Sequence, residues 1–324
     1  MRFMSFKILI IGLSLFMSSS VWATGKTTIR IGVQAAGTLE WELQTLQADP
    51  ALNTAEFDIQ ITPLANAEAG KIALQSNSVD MIVSDWVWVS STRATGADFT
   101  FYPYSNTSGS LVVPENSPIH SVADLKGKRL GIAGGELDKN WLLLQAVAQK
   151  DQLDLNAVTE KVLGAPPLLN EQIKQNRIDA LLTYWHFAAR LETQGYRQII
   201  DGQGILRALG INENVPSIGY VFKQSWAESN KSALKAFLKA TQQAKKQLCE
   251  SDAAWQKILP LTHVEDVATQ GLLRQRYCAG NVEQWGEKEQ QAATRIYGML
   301  RSLSQQKLTG QSESLQVGTF WIID

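Results

Sequence analysis

The sequence predicts an α/β fold of two equivalent lobes. Three observations carry that prediction: a motif written twice, short apolar strands alternating with helices around the copies, and a length that supports two domains. The motif is Asn77-Ser78-Val79-Asp80-Met81-Ile82-Val83-Ser84-Asp85-Trp86. Its second copy, 99 residues on, is Asn176-Arg177-Ile178-Asp179-Ala180-Leu181-Leu182-Thr183-Tyr184-Trp185. Each copy ends a helix-like run at an asparagine, which tolerates the left-handed conformation that closes helices. An aspartate, an apolar run suited to a strand buried on both faces, a small hydroxyl residue and a tryptophan follow. Two α/β units can share so short a motif by chance; the reading adopted is two lobes, each delivering a Trp from a strand's carboxyl end. At 324 residues and 44% hydrophobic content, the chain can bury a core in each.

The first elements follow in order. Arg2 and Lys7 precede the apolar run 8–17, a Ser-rich patch follows, and Val21-Trp22-Ala23 offers a small-residue cleavage site, so residues 1–23 are expected to be a secretory signal peptide. The run is short for a membrane span, and no cysteine beside the cleavage site offers a lipid anchor. Without the signal, 28 basic side chains stand against 31 acidic ones, a net charge of −3 that gives nucleic-acid binding no support. Residues 28–33 (TIRIGV) read as the first strand, followed by a loop and a helix over 39–46; residues 57–62 alternate as the second strand, and 67–76 form a helix. Past Trp86, a short helix over 87–95 puts Trp88 on a different face, so one of that pair is expected to line a cleft. Residues 99–113 read as a strand interrupted by small polar residues 105–110, fit to cross between lobes.

Ser121 caps one helical turn that Gly127 ends, and 129–133 is a strand running into a helix start at 134–141. That start has free amides suited to an anion, but Glu136 and Asp138 can occupy them. Residues 158–163 are a strand, 168–176 a helix, 198–200 a strand, and 215–222 the return along a second crossing. The remainder is mostly helical: Leu234, Phe237, Leu238 and Leu248 keep to one face, and Ile296, Met299, Leu300 and Leu303 repeat at helical spacing. Residues 315–323 close the chain as a strand-like tail. Cys249 and Cys278 lie in the exported part, where oxidation is permitted; a disulfide between them and a pair of buried thiols both stand.

The order of these elements, with Ser121-Val122-Ala123-Asp124-Leu125-Lys126-Gly127-Lys128 leading a strand and Ser225-Trp226-Ala227 leading the helix at Asn230, resembles the periplasmic solute-binding proteins of ABC importers. The resemblance is to their type II group, the NitT/TauT, sulfonate, taurine and thiamine-precursor (SsuA/THI5-like) binders, and covers nearly the whole mature chain. It implies two Rossmann-like lobes joined by two crossing segments, with residues 24–108 and 213–324 forming lobe 1 and 109–212 lobe 2. It further implies a small-molecule ligand closed upon in the interlobe cleft, an importer permease in the inner membrane as partner, a periplasmic monomer, and neither catalysis nor cofactor.

Carried over position by position, the ligand residues are Gln34, Thr38, Glu40 and Trp41 after the first strand, and Ser84, Asp85 and Trp86 at the first motif's end. Asn106, Thr107 and Ser108 follow on the crossing, Gly135, Asp138 and Trp141 at the helix start, and Thr183, Tyr184 and Trp185 at the second motif's end. Glu40, Asp85, Glu136 and Asp138 depart from oxyanion-binding members, which puts a sulfonate in doubt. Carboxylates beside aromatic faces instead suit an amine, an amino-substituted heterocycle or a quaternary ammonium, sandwiched by Trp86 and Trp185. Asp80 and Asp179 are expected to cap local turns. His120, His186 and His263 form no metal-ligand spacing, and Gly202-Gln203-Gly204 lacks the third glycine of a dinucleotide fingerprint. A metal set from Glu40, Asp85 and Asp138 has no spacing motif behind it. An exported enzyme on the same fold and a ligand-binding sensor subunit are the competing readings.

Overall fold

The structure, a computed structural model, describes residues 26–35, 37–52 and 55–323; the expected signal peptide lies outside the described residues. The strands are β1 (Thr27–Gln34), β2 (Phe57–Leu64), β3 (Met81–Ser84), β4 (Phe99–Ser105), β5 (Gly109–Pro114), β6 (Arg129–Ala133), β7 (Glu160–Gly164), β8 (Ala180–Tyr184), β9 (Tyr196–Asp201) and β10 (Ile218–Lys223). They form two sheets of the same design, ordered β2-β1-β3-β10-β4 and β7-β6-β8-β5-β9. In each, three parallel strands are followed by one antiparallel to its neighbours, β10 in the first sheet and β5 in the second. That antiparallel strand is the one arriving from the other lobe. β5 follows β4 through Asn106, Thr107 and Ser108, so the small polar residues do carry the chain across.

The doubled motif is the repeated framework of both sheets. Asn77 and Asn176 take φ of 58° and 55°, the left-handed geometry expected of them. Asp80 and Asp179 do more than cap turns. Asp80 accepts from the Arg30 backbone N–H at 2.9 Å and from its guanidinium at 3.0 and 2.5 Å, while Arg30 also donates to the Asn77 carbonyl. Asp179 repeats this with Arg129 and the Asn176 carbonyl. Each pair fixes the turn before the central strand to the neighbouring strand, a partner fifty residues back that the local pattern does not reveal. Gly32 and Gly131 are doubled too. A Cβ on Gly32 would stand 2.5 Å from a Leu64 methyl, and one on Gly131 2.5 Å from an Ile178 methyl, so both positions let side chains close down on the sheet.

The carboxyl-terminal third ties the lobes together. The helix Lys231–Glu250 buries Leu234, Phe237, Leu238 and Leu248, as its stripe predicts. The helix Glu287–Leu303 carries Ile296 and Leu300 into a core shared with Leu111, Leu130 and Trp141, residues on or beside the second sheet. Cys249 and Cys278 form a disulfide. Residues 315–323 are not a strand: their ladder contact is a single bridge between Phe101 and Phe320, and the segment instead inserts Phe320 among Trp86, Phe101 and Trp285.

Candidate functional site

The carboxyl ends of β3, β6 and β8 meet at a polar seam between the lobes. Asp85 follows β3 and caps the helix Trp86–Arg93, its Oδ1 accepting from the Trp88 N–H at 2.9 Å. Its Oδ2 lies 3.1 Å from Nζ of Lys139, the first residue of the helix Lys139–Lys150 beyond β6. Burial alone would raise the Asp85 carboxyl, but Lys139, the Trp88 N–H and Lys71 outweigh it and hold Asp85 below its ordinary value. Burial likewise opposes the Lys139 charge, and Asp85 outweighs it, so the ammonium is held above its ordinary value. Asp138 caps the Lys139 helix by accepting from the Trp141 N–H at 2.9 Å, and burial pushes its carboxyl up. The amides expected to attract an anion are thus taken by the chain's own carboxylate.

The seam continues into a cavity. Asn140, next to Lys139, accepts from the Ser108 hydroxyl at 2.9 Å. Ser108 with Asn106, Thr107 and Trp185 lines a cavity of about 620 Å³ reached by both crossings and by the loop after the helix Val267–Ala279. Its wall is rich in carboxamides and holds five acidic side chains against two arginines. Several of those charges are already paired, Arg276 with Glu192 at 2.7 Å and Glu213 with Arg295 at 2.8 Å. Two wall carboxamides are incompletely bonded. Asn106 donates through Nδ2 to the Asn281 carbonyl at 3.0 Å, which fixes its rotation, and its buried Oδ1 has no partner; the Asn281 Oδ1 has none either. A buried acceptor left unpaired costs about 1–3 kcal/mol, so both oxygens favour a donor.

The expected ligand residues divide accordingly. Asn106, Thr107, Ser108 and Trp185 reach the cavity; Asp85, Asp138 and Tyr184 meet at the seam, where the Tyr184 hydroxyl and Asp138 both crowd Gly134. Gly135 lies in the same loop with φ of 83°. Thr183 and Ser84 are buried in their strands, with the Thr183 hydroxyl unpartnered. Thr38 stands at the N-terminal boundary of the helix Leu39–Ala48, its hydroxyl 3.4 Å from that of Tyr104 rather than capping the helix; Gln34 and Glu40 are exposed.

The aromatic sandwich is not what the fold builds. Trp86 is 4% exposed, donates its indole N–H to the Pro216 carbonyl and packs on Phe320. Trp88 stacks on Phe99 instead, so neither member of that pair faces the cavity. Trp141 is fully buried, and Trp41 packs edge-on against Trp185 and Trp255 and at a tilt against Tyr277. Among the four candidate tryptophans, Trp185 alone lines the cavity. The carboxylate metal set also fails: Glu40 is exposed, Asp85 is held by Lys139, and among the described residues no three His, Cys, Asp or Glu side chains could hold a metal ion.

Sequence reasoning missed Lys139, Asn140, Asn281 and Glu42. Lys139 and Asn140 lie inside the helix start it singled out, and their adjacency to Asp138 was the available signal. Glu42 carried none. Wholly buried, it accepts from the Tyr277 hydroxyl at 2.7 Å and the Tyr220 hydroxyl at 3.3 Å and lies 3.6 Å from the Lys245 ammonium. Burial pushes Glu42 up and Lys245 down. Lys245 also donates to the Tyr104 carbonyl, which anchors the first crossing to the cluster.

Two sheets of this topology, crossed twice and facing each other over a polar cavity, define the two-lobed α/β fold of periplasmic binding proteins. The periplasmic aliphatic sulphonate binding protein SsuA from Escherichia coli has it with a TM-score of 0.73 at 18% identity over 93% of this chain and 94% of its own. The alkanesulfonate-binding protein SsuA from Xanthomonas axonopodis pv. citri, bound to MOPS, has a TM-score of 0.68 at 19% identity, covering 92% and 99%. The desulfurization enzyme DszB shares the fold more distantly, with a TM-score of 0.58 at 14% identity, covering 86% and 93%. No curated protein matches the chain by sequence. The chain belongs to the NMT1/THI5-like family, whose model matches residues 53–253.

Proposed function

We propose that the chain is the periplasmic solute-binding component of an ABC importer, taking a small amine-bearing organic ligand between its lobes for delivery to an inner-membrane permease. In this reading residues 1–23 are cleaved, 24–108 and 213–324 make lobe 1 and 109–212 make lobe 2. The cavity at the crossings carries the reading, because its wall holds five acidic side chains against two arginines, an excess that favours a protonated ligand. Trp185 supplies one aromatic face, so stacking on a single side replaces the sandwich. A sulfonate would meet an acidic wall whose two arginines both have carboxylate partners, Arg276 with Glu192 and Arg207, more loosely, with Asp201 at 3.9 Å, while Lys139 is engaged by Asp85.

A thermal-shift screen of the mature protein against amines, amino-substituted heterocycles, quaternary ammonium compounds and sulfonates tests this. A hundredfold excess over the dissociation constant stabilises by about 2.7 kcal/mol. A shift with the amine class is expected; a shift confined to sulfonates would overturn the assignment of ligand class, and none with any class would overturn the site.

An enzymatic reading has the fold shared with DszB behind it. Against it, both cysteines are disulfide-bonded, and the Nδ1 of His186 is buried without a hydrogen-bond partner rather than oriented for a base.

A further inference from the structure

We infer that Asp85 and Lys139 are an interlobe latch, an ion pair that holds the lobes together beside the cavity and sets the closed population on which ligand affinity depends. The inference rests on the solute-binding reading above and adds positioning residues to it.

The pair joins elements of different sheets: Asp85 ends β3, and Lys139 begins the helix after β6. Its geometry is prepared on one side, because the Trp88 N–H holds Oδ1 and leaves Oδ2 aimed at the ammonium 3.1 Å away. With side-chain exposures of 13% and 33%, the pair is screened less by water and salt than a surface pair. Other charges facing it are Lys71 toward Asp85, and Asp138 and Tyr184 toward Lys139.

The doubled framework does not explain this pair. The residue 99 positions after Asp85 is Tyr184, and the residue 99 positions before Lys139 is the exposed Glu40. The pair therefore has no counterpart in the repeated design, and it lies at the interface between lobes, which Arg276 and Glu192 also bridge at the cavity wall. Its link to the ligand site is direct: Asn140, the next residue, holds Ser108 of the cavity wall. A ligand that binds the closed form has an apparent affinity scaled by the fraction closed, so the latch raises affinity without touching the ligand.

The test uses the mature full-length protein without ligand, with the radius of gyration from small-angle scattering as readout, at low ionic strength and at about 1 M salt, where the Debye length falls to about 3 Å. The wild type should be compact at low salt and expand at high salt. Asp85→Asn and Lys139→Met should each be expanded at low salt and respond less to salt than the wild type, while the double variant should be no more expanded than either single one. Single variants as compact as the wild type, or a double variant more expanded than both single ones, would overturn the latch. If Asp85→Asn fails to fold, Lys139→Met decides, its side chain being the more exposed. No ligand enters this measurement, so its failure is separate from failure of the thermal-shift screen.

Discussion

Trp86 and Trp185 occupy matching places in the doubled motif and have opposite environments. Trp86 is enclosed by Phe320 and bonded to Pro216, so Trp86→Ala should destabilise the fold by about 3–5 kcal/mol. Trp185 borders the cavity while packing edge-on against Trp41, so Trp185→Ala should cost about 1–2 kcal/mol of ligand affinity and less stability than Trp86→Ala. Thermal denaturation and calorimetric titration separate the two; equal stability losses would contradict the assignment. His186, next in sequence, is pushed by burial, with Arg190 adding, from its ordinary 6.5 down to about 3. Around it stand Tyr184, Trp185, Phe187 and Arg190. The unfolded chain accepts a proton that the folded one refuses, so stability is complete above pH 6.5 and falls as pH drops toward 3, by at most about 1.4 kcal/mol per pH unit. Denaturant titrations across that window should show a shallower acid slope in His186→Phe; an unchanged slope would assign the acid sensitivity elsewhere.

Among the elements, the two Arg–Asp turn anchors share a pattern but differ in exposure. The Asp80 side chain is 9% exposed and that of Asp179 is 32%. Asp80→Ala should therefore cost about 2–3 kcal/mol, and Asp179→Ala closer to 1, as measured by chemical denaturation. The disulfide joins the helices Lys231–Glu250 and Val267–Ala279 across a sequence separation of 29. Reduction should cost about 3–4 kcal/mol by loop entropy, seen as a lower melting temperature in reductant that the Cys249→Ser, Cys278→Ser protein reproduces without it. Strands and the longer helices were readable in the sequence, because alternation and helical stripes are local signals, but the short helices Leu155–Val158, Trp185–Glu192 and Gly202–Ala208 were not, being too short to show a stripe. The tail at 315–323 was not, because alternation there reflects packing of Phe320 into a distant core rather than pairing in a ladder.

For the whole molecule, the Asp85–Lys139 pair makes closure depend on pH. Asp85 is held below its ordinary 3.8, so its contribution is present above that value and lost as pH falls through the lower, folded-state value. Lys139 is held above its ordinary 10.5, so its contribution is complete below that value and lost as pH rises through the higher one. Lys71, Asp138 and Tyr184 shape the field around the pair. The radius of gyration should therefore be flat between those limits and rise outside them; expansion near neutrality would mean that another group controls closure.

The sequence by itself determined the two lobes, the left-handed asparagines, the crossing at Asn106, Thr107 and Ser108, and the family resemblance, since each is written in residues close together along the chain. Only the tertiary structure decided which tryptophan meets the cavity, that Asp85 pairs with Lys139 rather than with a ligand or metal, and that the two cysteines are bridged. Each of those depends on which face of an element is covered by another element far away in sequence. A side chain's periodicity tells that it is turned from its own helix or strand, and the packing of the lobes decides what it then meets.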